Sequence, residues 1–238
     1  MNTMATSKAG PTLAALRKIL NREPPKRAGE VCEMCAAAIP EPHSHVVNTE
    51  TRTLLCTCRY CYLLFTREGA ARGKFRAVPE RYRYDPGFTL TDAQWERFQI
   101  PVRMAFFFVN SKLGHVVAFY PSPAGATEST LELESWHELV GANPILSDMQ
   151  PDVEALLVYG ARGARFQCFI VPIDACYELT GRVKRTWRGF DGGDAAWTDI
   201  DRFFRELRDK SRAVDEMPPG GRDRVNPPAK GGSMRAIQ

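Results

Sequence analysis

Apolar and polar positions follow different rhythms along this chain, and the changes of rhythm divide it. Near the start, Leu13, Leu16, Ile19 and Leu20 recur at helical spacing, with Arg17 and Lys18 off that face. This predicts a short amphipathic helix over 12–21. Residues 22–30, with Pro24-Pro25, read as a linker. From 31 to 84 the apolar runs are brief. Residues 52–55 predict a strand, and Tyr62-Leu63-Leu64-Phe65 predicts either a helical turn or a strand. Thr91-Asp92 followed by Gln94 and Glu96 marks a helix start, with Thr91 or Asp92 as the cap.

The second half is richer in apolar residues. The unbroken run 101–109 and the segment 115–120 flank the turn Lys112-Leu113-Gly114, so they predict an antiparallel strand pair. Residues 121–128 read as a loop of small residues. Leu133, Trp136, Leu139 and Val140 then fall on one side of a helix. Residues 153–159 and 166–171 predict a second hairpin around the glycines at 160 and 163. Two further helices are expected over 175–186, capped by Asp174, and over 194–210, with Trp197, Ile200, Phe203, Phe204 and Leu207 on its apolar face. The expectation is an α+β body, an antiparallel sheet with helices packed on one face. Residues 211–238 carry paired prolines and glycines and little apolar content, which predicts a disordered tail. The expected organisation is therefore an N-terminal helix and linker over 1–30, a Cys-rich module with a basic connector over 31–84, the α+β domain over 85–210, and the tail.

Length and composition narrow the setting. A chain of 238 residues with 44% hydrophobic and 25% charged residues buries enough surface to fold without disulfide staples. No apolar run reaches the roughly 20 residues a bilayer span needs. The N-terminus lacks a signal-peptide pattern, so a reducing cytoplasm with free or metal-bound thiols is expected. The net charge of +4 permits an anionic partner without demanding one.

The chemistry concentrates between residues 32 and 61. Cys32 and Cys35 form one CxxC pair and Cys58 and Cys61 another, with His43, His45 and Cys56 between them. Two sulfurs three residues apart can grip one tetrahedral ion from a single turn. Cys32, Cys35, Cys58 and Cys61 are therefore the expected ligands of a structural zinc, with iron as the alternative metal; His43, His45 and Cys56 are additional donors. A knuckle, a hairpin and a second pair at a helix start would make a treble clef, and a hairpin pair would make a zinc ribbon. Rubredoxin-type iron is disfavoured, because Ala36 and Tyr62 stand where its knuckles carry glycine. A His-Asn-His nuclease is disfavoured too, because no further histidine follows Cys61 before His115.

Other candidates are weaker. The stretch 67–84 interleaves Arg67, Arg72, Lys74, Arg76, Arg81 and Arg83 with Phe75, Tyr82 and Tyr84. Such a pattern can bind nucleic acid, but a solvated connector is the preferred reading. His115 and His137 are isolated, and Cys168 alternates with Phe166 and Ile170 as a core residue would. There is no GxSxG, P-loop or Rossmann pattern, and no catalytic residue is nominated.

Several segments taken together carry a family resemblance. They are Cys32-Glu33-Met34-Cys35, residues 54–65 (Leu-Leu-Cys-Thr-Cys-Arg-Tyr-Cys-Tyr-Leu-Leu-Phe), 75–79, 117–129, 151–157 and Trp187-Arg188-Gly189. From about Arg27 to Lys210 the chain resembles an uncharacterised bacterial family whose members are encoded beside uptake NiFe-hydrogenases and their maturation factors. The resemblance implies a non-catalytic accessory or assembly role, with hydrogenase subunits or maturation factors as protein partners. A small electron-transfer protein with thiolate-bound iron is the alternative, and a nucleic-acid-binding zinc protein the second alternative.

Overall fold

The structure, a computed structural model, describes residues 30–130, 133–160, 164–189 and 191–214. The expected N-terminal helix, nearly all of the linker and most of the expected tail lie outside these residues.

Two sheets, antiparallel but for one edge pairing, organise the chain. A small sheet has the order β2-β1-β3, from β1 (Ser44–Asn48), β2 (Thr53–Thr57) and β3 (Phe75–Ala77). The turn between β1 and β2 is held by Asn48, whose side-chain carbonyl accepts from the Glu50 and Thr51 amides. A short helix, α1 (Arg59–Leu63), leaves the end of β2.

The large sheet has the order β10-β4-β9-β8-β5-β6-β7. Its central strands are β5 (Met104–Asn110), β8 (Glu154–Tyr159) and β9 (Gln167–Pro172), flanked by β4 (Arg83–Tyr84) and β6 (His115–Ser122). Both expected hairpins form with antiparallel register, β5 with β6 and β8 with β9. The edges are β10 (Arg212–Ala213), parallel to β4, and β7 (Gly125–Ser129), antiparallel to β6.

Two points depart from the sequence reading. Residues 125–129 are not loop: they form β7, an edge strand whose small and polar side chains carry no apolar alternation. Helices also cover both faces of the large sheet, not one. The reason lies in β5 and β8. Met104 to Phe107 and Glu154 to Tyr159 are buried at every position, so both sides of the central strands need cover. On one face Phe106, Leu157 and Phe169 pack against α4 (Ile173–Thr186) and α5 (Gly193–Lys210) through Leu179, Val183, Ile200 and Phe204. On the other, Phe107, Leu156 and Ile170 pack against Trp95 and Phe98 of α2 (Asp92–Arg97) and its exit, and Trp136 and Leu139 of α3 (Leu133–Ala142). Thr91 caps α2 with a reciprocal bond to Gln94, as its sequence predicts.

The small sheet docks on the α4 side, where Val47 and Val78 join the core beneath α4. The basic stretch takes part in this junction. It supplies β3 to the small sheet and β4 to the large one, and Arg76, Arg81 and Arg83 reach buried carboxylates while Arg67 and Arg72 stay exposed. Glu154, fully buried, accepts from Arg81 at 2.5 and 2.7 Å and lies 3.8 Å from Arg83. Arg76 lies 3.7 Å from Asp152 and donates to the Pro151 carbonyl.

Candidate metal centre

The first CxxC pair sits in a tight knuckle. The Ala36 amide donates to the Cys32 carbonyl and the Cys32 amide to the Ala37 carbonyl, both at 2.8 Å. The reversal puts Ala36 at φ 60°, the left-handed region that glycine fills in most such turns. The geometry of a glycine knuckle is thus present without the glycine. The second pair is carried differently. Cys58 is the N-cap of α1, its sulfur accepting from the Cys61 amide at 3.5 Å, and Cys61 lies in the first turn. Tyr62 needs no special backbone because it is helical, and its hydroxyl donates to the Val78 carbonyl.

These elements gather four sulfurs. Those of Cys32, Cys35, Cys58 and Cys61 all lie within 4.8 Å of one another, and Cys35 Sγ is 3.7 Å from Cys58 Sγ. Zinc–sulfur bonds of about 2.3 Å at tetrahedral angles would hold sulfurs roughly 3.8 Å apart. All seven cysteines are free thiols, so the cluster is not a disulfide in disguise. Cys32 is 1% exposed, while Cys35 is open to solvent.

Electrostatics within the quartet are uneven. Burial raises the Cys32 thiol, but amides of Cys58, Met34 and Cys35 outweigh it and bring it down to about 6. Cys61 is pushed up to about 12, by burial first and then by the sulfurs of Cys35, Cys58 and Cys32. Cys32 is thus readily held as a thiolate, while its neighbour Cys61 resists ionisation beside it. A cation reverses that repulsion, so the donor set suits a divalent, thiophilic ion.

The three additional donors do not complete this set; they form one of their own. One ring nitrogen of His43, one of His45 and the Cys56 sulfur lie within 4.8 Å of one another. Strand geometry explains it. His43 and His45 are two residues apart and share a face, and His45 lies directly opposite Cys56 on β2. The Cys56 main chain turns away, its carbonyl accepting from the Glu33 amide and its amide donating to Glu33 Oε2 at 2.6 Å. The His45 carbonyl likewise accepts from Val78. The His45–Cys56 pair therefore makes no ladder bond, which is the narrower of the two antiparallel spacings. The spacing His-x-His is present in the sequence, but its placement opposite Cys56 comes from the β1–β2 register.

Two acidic partners were not visible there. His45 Nδ1 donates to Asp174 Oδ2 at 2.8 Å. Asp174 was expected to cap α4; Pro172 holds the cap position, and the Asp174 carboxylate serves the histidine instead. His43 Nδ1 lies 3.3 Å from both the Pro40 carbonyl and Glu30 Oε2. Both histidines border a groove of about 1080 Å³ between the small sheet and the α4–α5 pair, lined also by Glu178, Arg182 and Lys210.

The remaining candidates lie elsewhere. His115 and His137 are exposed. Cys168 and Cys176 are buried in the cores on opposite faces of the large sheet. No helix among the described residues is long and apolar enough to cross a membrane.

Residues 31–211 match the model of a family of unknown function (DUF5947), and the chain belongs to that family. No curated protein and no solved structure matches it.

Proposed function

We propose that this protein is a zinc-binding accessory or assembly protein, non-catalytic and cytoplasmic, in which one zinc ion held by Cys32, Cys35, Cys58 and Cys61 shapes the small module against the α+β body. The observation that carries this reading is the preformed four-sulfur cluster, with Cys35 and Cys58 at 3.7 Å. The order knuckle, hairpin, helix, with the second pair on the helix start, is that of a treble clef. A small module of three short strands has little core of its own, and metal binding at such sites supplies folding free energy on the order of 10 kcal/mol. The asymmetry between knuckle and helix favours zinc over rubredoxin-type iron, which uses two matched knuckles.

The setting beside NiFe-hydrogenases comes from the family resemblance, and hydrogenase subunits or maturation factors are the partners it implies. Exposed apolar side chains on the module, Tyr60, Leu63 and Leu64 of α1 and its exit, support a protein-binding role. Anaerobic purification followed by metal analysis tests the central claim. A colourless protein carrying zinc, which Cys58→Ser removes, is the expected result. Visible absorption from thiolate-bound iron would move the protein to the electron-transfer reading, and absence of any transition metal under reducing, chelator-free conditions would end both.

A further inference from the structure

We infer that His43, His45 and Cys56 form a second metal centre, separate from the cysteine quartet, that takes an exchangeable divalent transition cation and keeps one coordination position open to the groove. The inference does not depend on the quartet holding zinc.

Four observations converge. The first is proximity: three donors from β1, β2 and the residue preceding Ser44 lie within 4.8 Å. The second is tautomer. The acceptors facing both Nδ1 atoms are a carbonyl or carboxylates, so each Nδ1 carries the hydrogen and each Nε2 keeps its lone pair for a metal. A carboxylate or carbonyl behind the ring is the usual outer partner of a ligating histidine.

The third observation is an unmet need. His43 is nine-tenths buried, with 10% of its side chain exposed, and its Nε2 has no hydrogen-bond partner. Asp174 Oδ1 is likewise buried and unpartnered. Leaving a polar atom buried and unpaired is unfavourable, and a cation bound at Nε2 removes that cost directly for His43. The fourth is coordination number. Two imidazoles and a thiolate supply three ligands, the count of sites that keep a fourth position free, and the groove gives that position access. Two neutral imidazoles with one thiolate suit a borderline-soft dication of the Zn²⁺, Co²⁺ or Ni²⁺ kind rather than Mg²⁺ or Ca²⁺.

The test is a titration of the metal-stripped full-length chain with Co²⁺ under anaerobic, reducing conditions, followed by its visible spectrum and by competition against a chelator. Two equivalents are expected, with distinct spectra for the four-sulfur and the two-imidazole sites. His43→Ala with His45→Ala should abolish the second equivalent and leave the first with unchanged spectrum and affinity. Asp174→Asn removes no ligand; it should weaken the second equivalent 10- to 100-fold and leave the first intact. A wild-type stoichiometry of one, with that single ion held by the four sulfurs, would overturn the inference. So would a second equivalent that survives loss of both histidines, or one that Asp174→Asn leaves at wild-type affinity. If the double histidine variant loses both ions by unfolding, Asp174→Asn decides alone. Loss of the first equivalent in Cys35→Ser with the second retained separates failure of the zinc reading from failure of this one.

Discussion

Ala36 offers the sharpest test of how the knuckle is built. Its φ of 60° is a left-handed conformation forced by two backbone bonds that close the turn. For an alanine this costs about 1.5 kcal/mol relative to a right-handed conformation. Glycine removes that cost but gains freedom in the unfolded chain, worth about 0.7 kcal/mol against it. The net for Ala36→Gly is about 0.8 kcal/mol in favour of the folded knuckle. Where metal binding and folding are one event, that is about fourfold tighter binding. Ala37, one residue on, is not in the left-handed region. Ala37→Gly therefore meets only the unfolded-state term and should weaken binding about threefold. The two variants differ by one methyl at adjacent positions, yet their affinities should differ by about tenfold. Anaerobic chelator competition measures both. If Ala36→Gly binds no tighter than Ala37→Gly, the account of the knuckle as a strained glycine turn is wrong.

Four further outcomes are expected. Cys32→Ser and Cys61→Ser should lose the first ion and the fold of the small module, followed by metal analysis and near-ultraviolet circular dichroism. Cys168→Ala should keep full metal content while losing about 1–2 kcal/mol in urea unfolding, because its sulfur fills the core beside Ile170; equal metal loss would contradict its packing role. Glu154→Ala leaves Arg83, whose side chain is 6% exposed, with only the longer contacts to Asp148 at 3.4 and 3.9 Å, and should cost about 3–5 kcal/mol by the same assay; a loss below about 1 kcal/mol would show that Asp148 or water takes over the guanidinium. Thr91→Ala removes the cap of α2 and should cost about 1 kcal/mol, read as a shifted urea midpoint without change of slope.

How much of this was legible in the sequence depended on which force wrote each element. Strands β5, β6, β8 and β9 and helices α4 and α5 announce themselves, because burial of Phe106, Leu157, Val171, Ile200 and Phe204 imposes their periodicity. Strands β7 and β1 do not. Gly125 to Ser129 sits at a sheet edge, where backbone pairing alone suffices, and Ser44 to Asn48 (Ser-His-Val-Val-Asn) is short and shows no alternation. The pairing of Cys32 and Cys35 with Cys58 and Cys61 was readable because CxxC spacing is itself the chemistry. The second cluster was readable only in part. His43, His45 and Cys56 were named as donors, but their separation from the quartet needs the β1–β2 register, which no local pattern states. Asp174 was misjudged for a different reason. It looks like a helix cap, and its partner His45 lies 129 positions away, where only the docking of the small sheet on α4 brings them together.

Glu33 couples the two clusters. It lies inside the first knuckle, between Cys32 and Cys35, and from there it holds both main-chain groups of Cys56. His43 reaches back to the same knuckle, its Nδ1 3.3 Å from Glu30 Oε2. An ion in either cluster should therefore stiffen the support of the other, without either being required for the other to fill. By linkage the help is mutual and equal in both directions, so the small module acts as a hinge between two ions rather than as two separate staples.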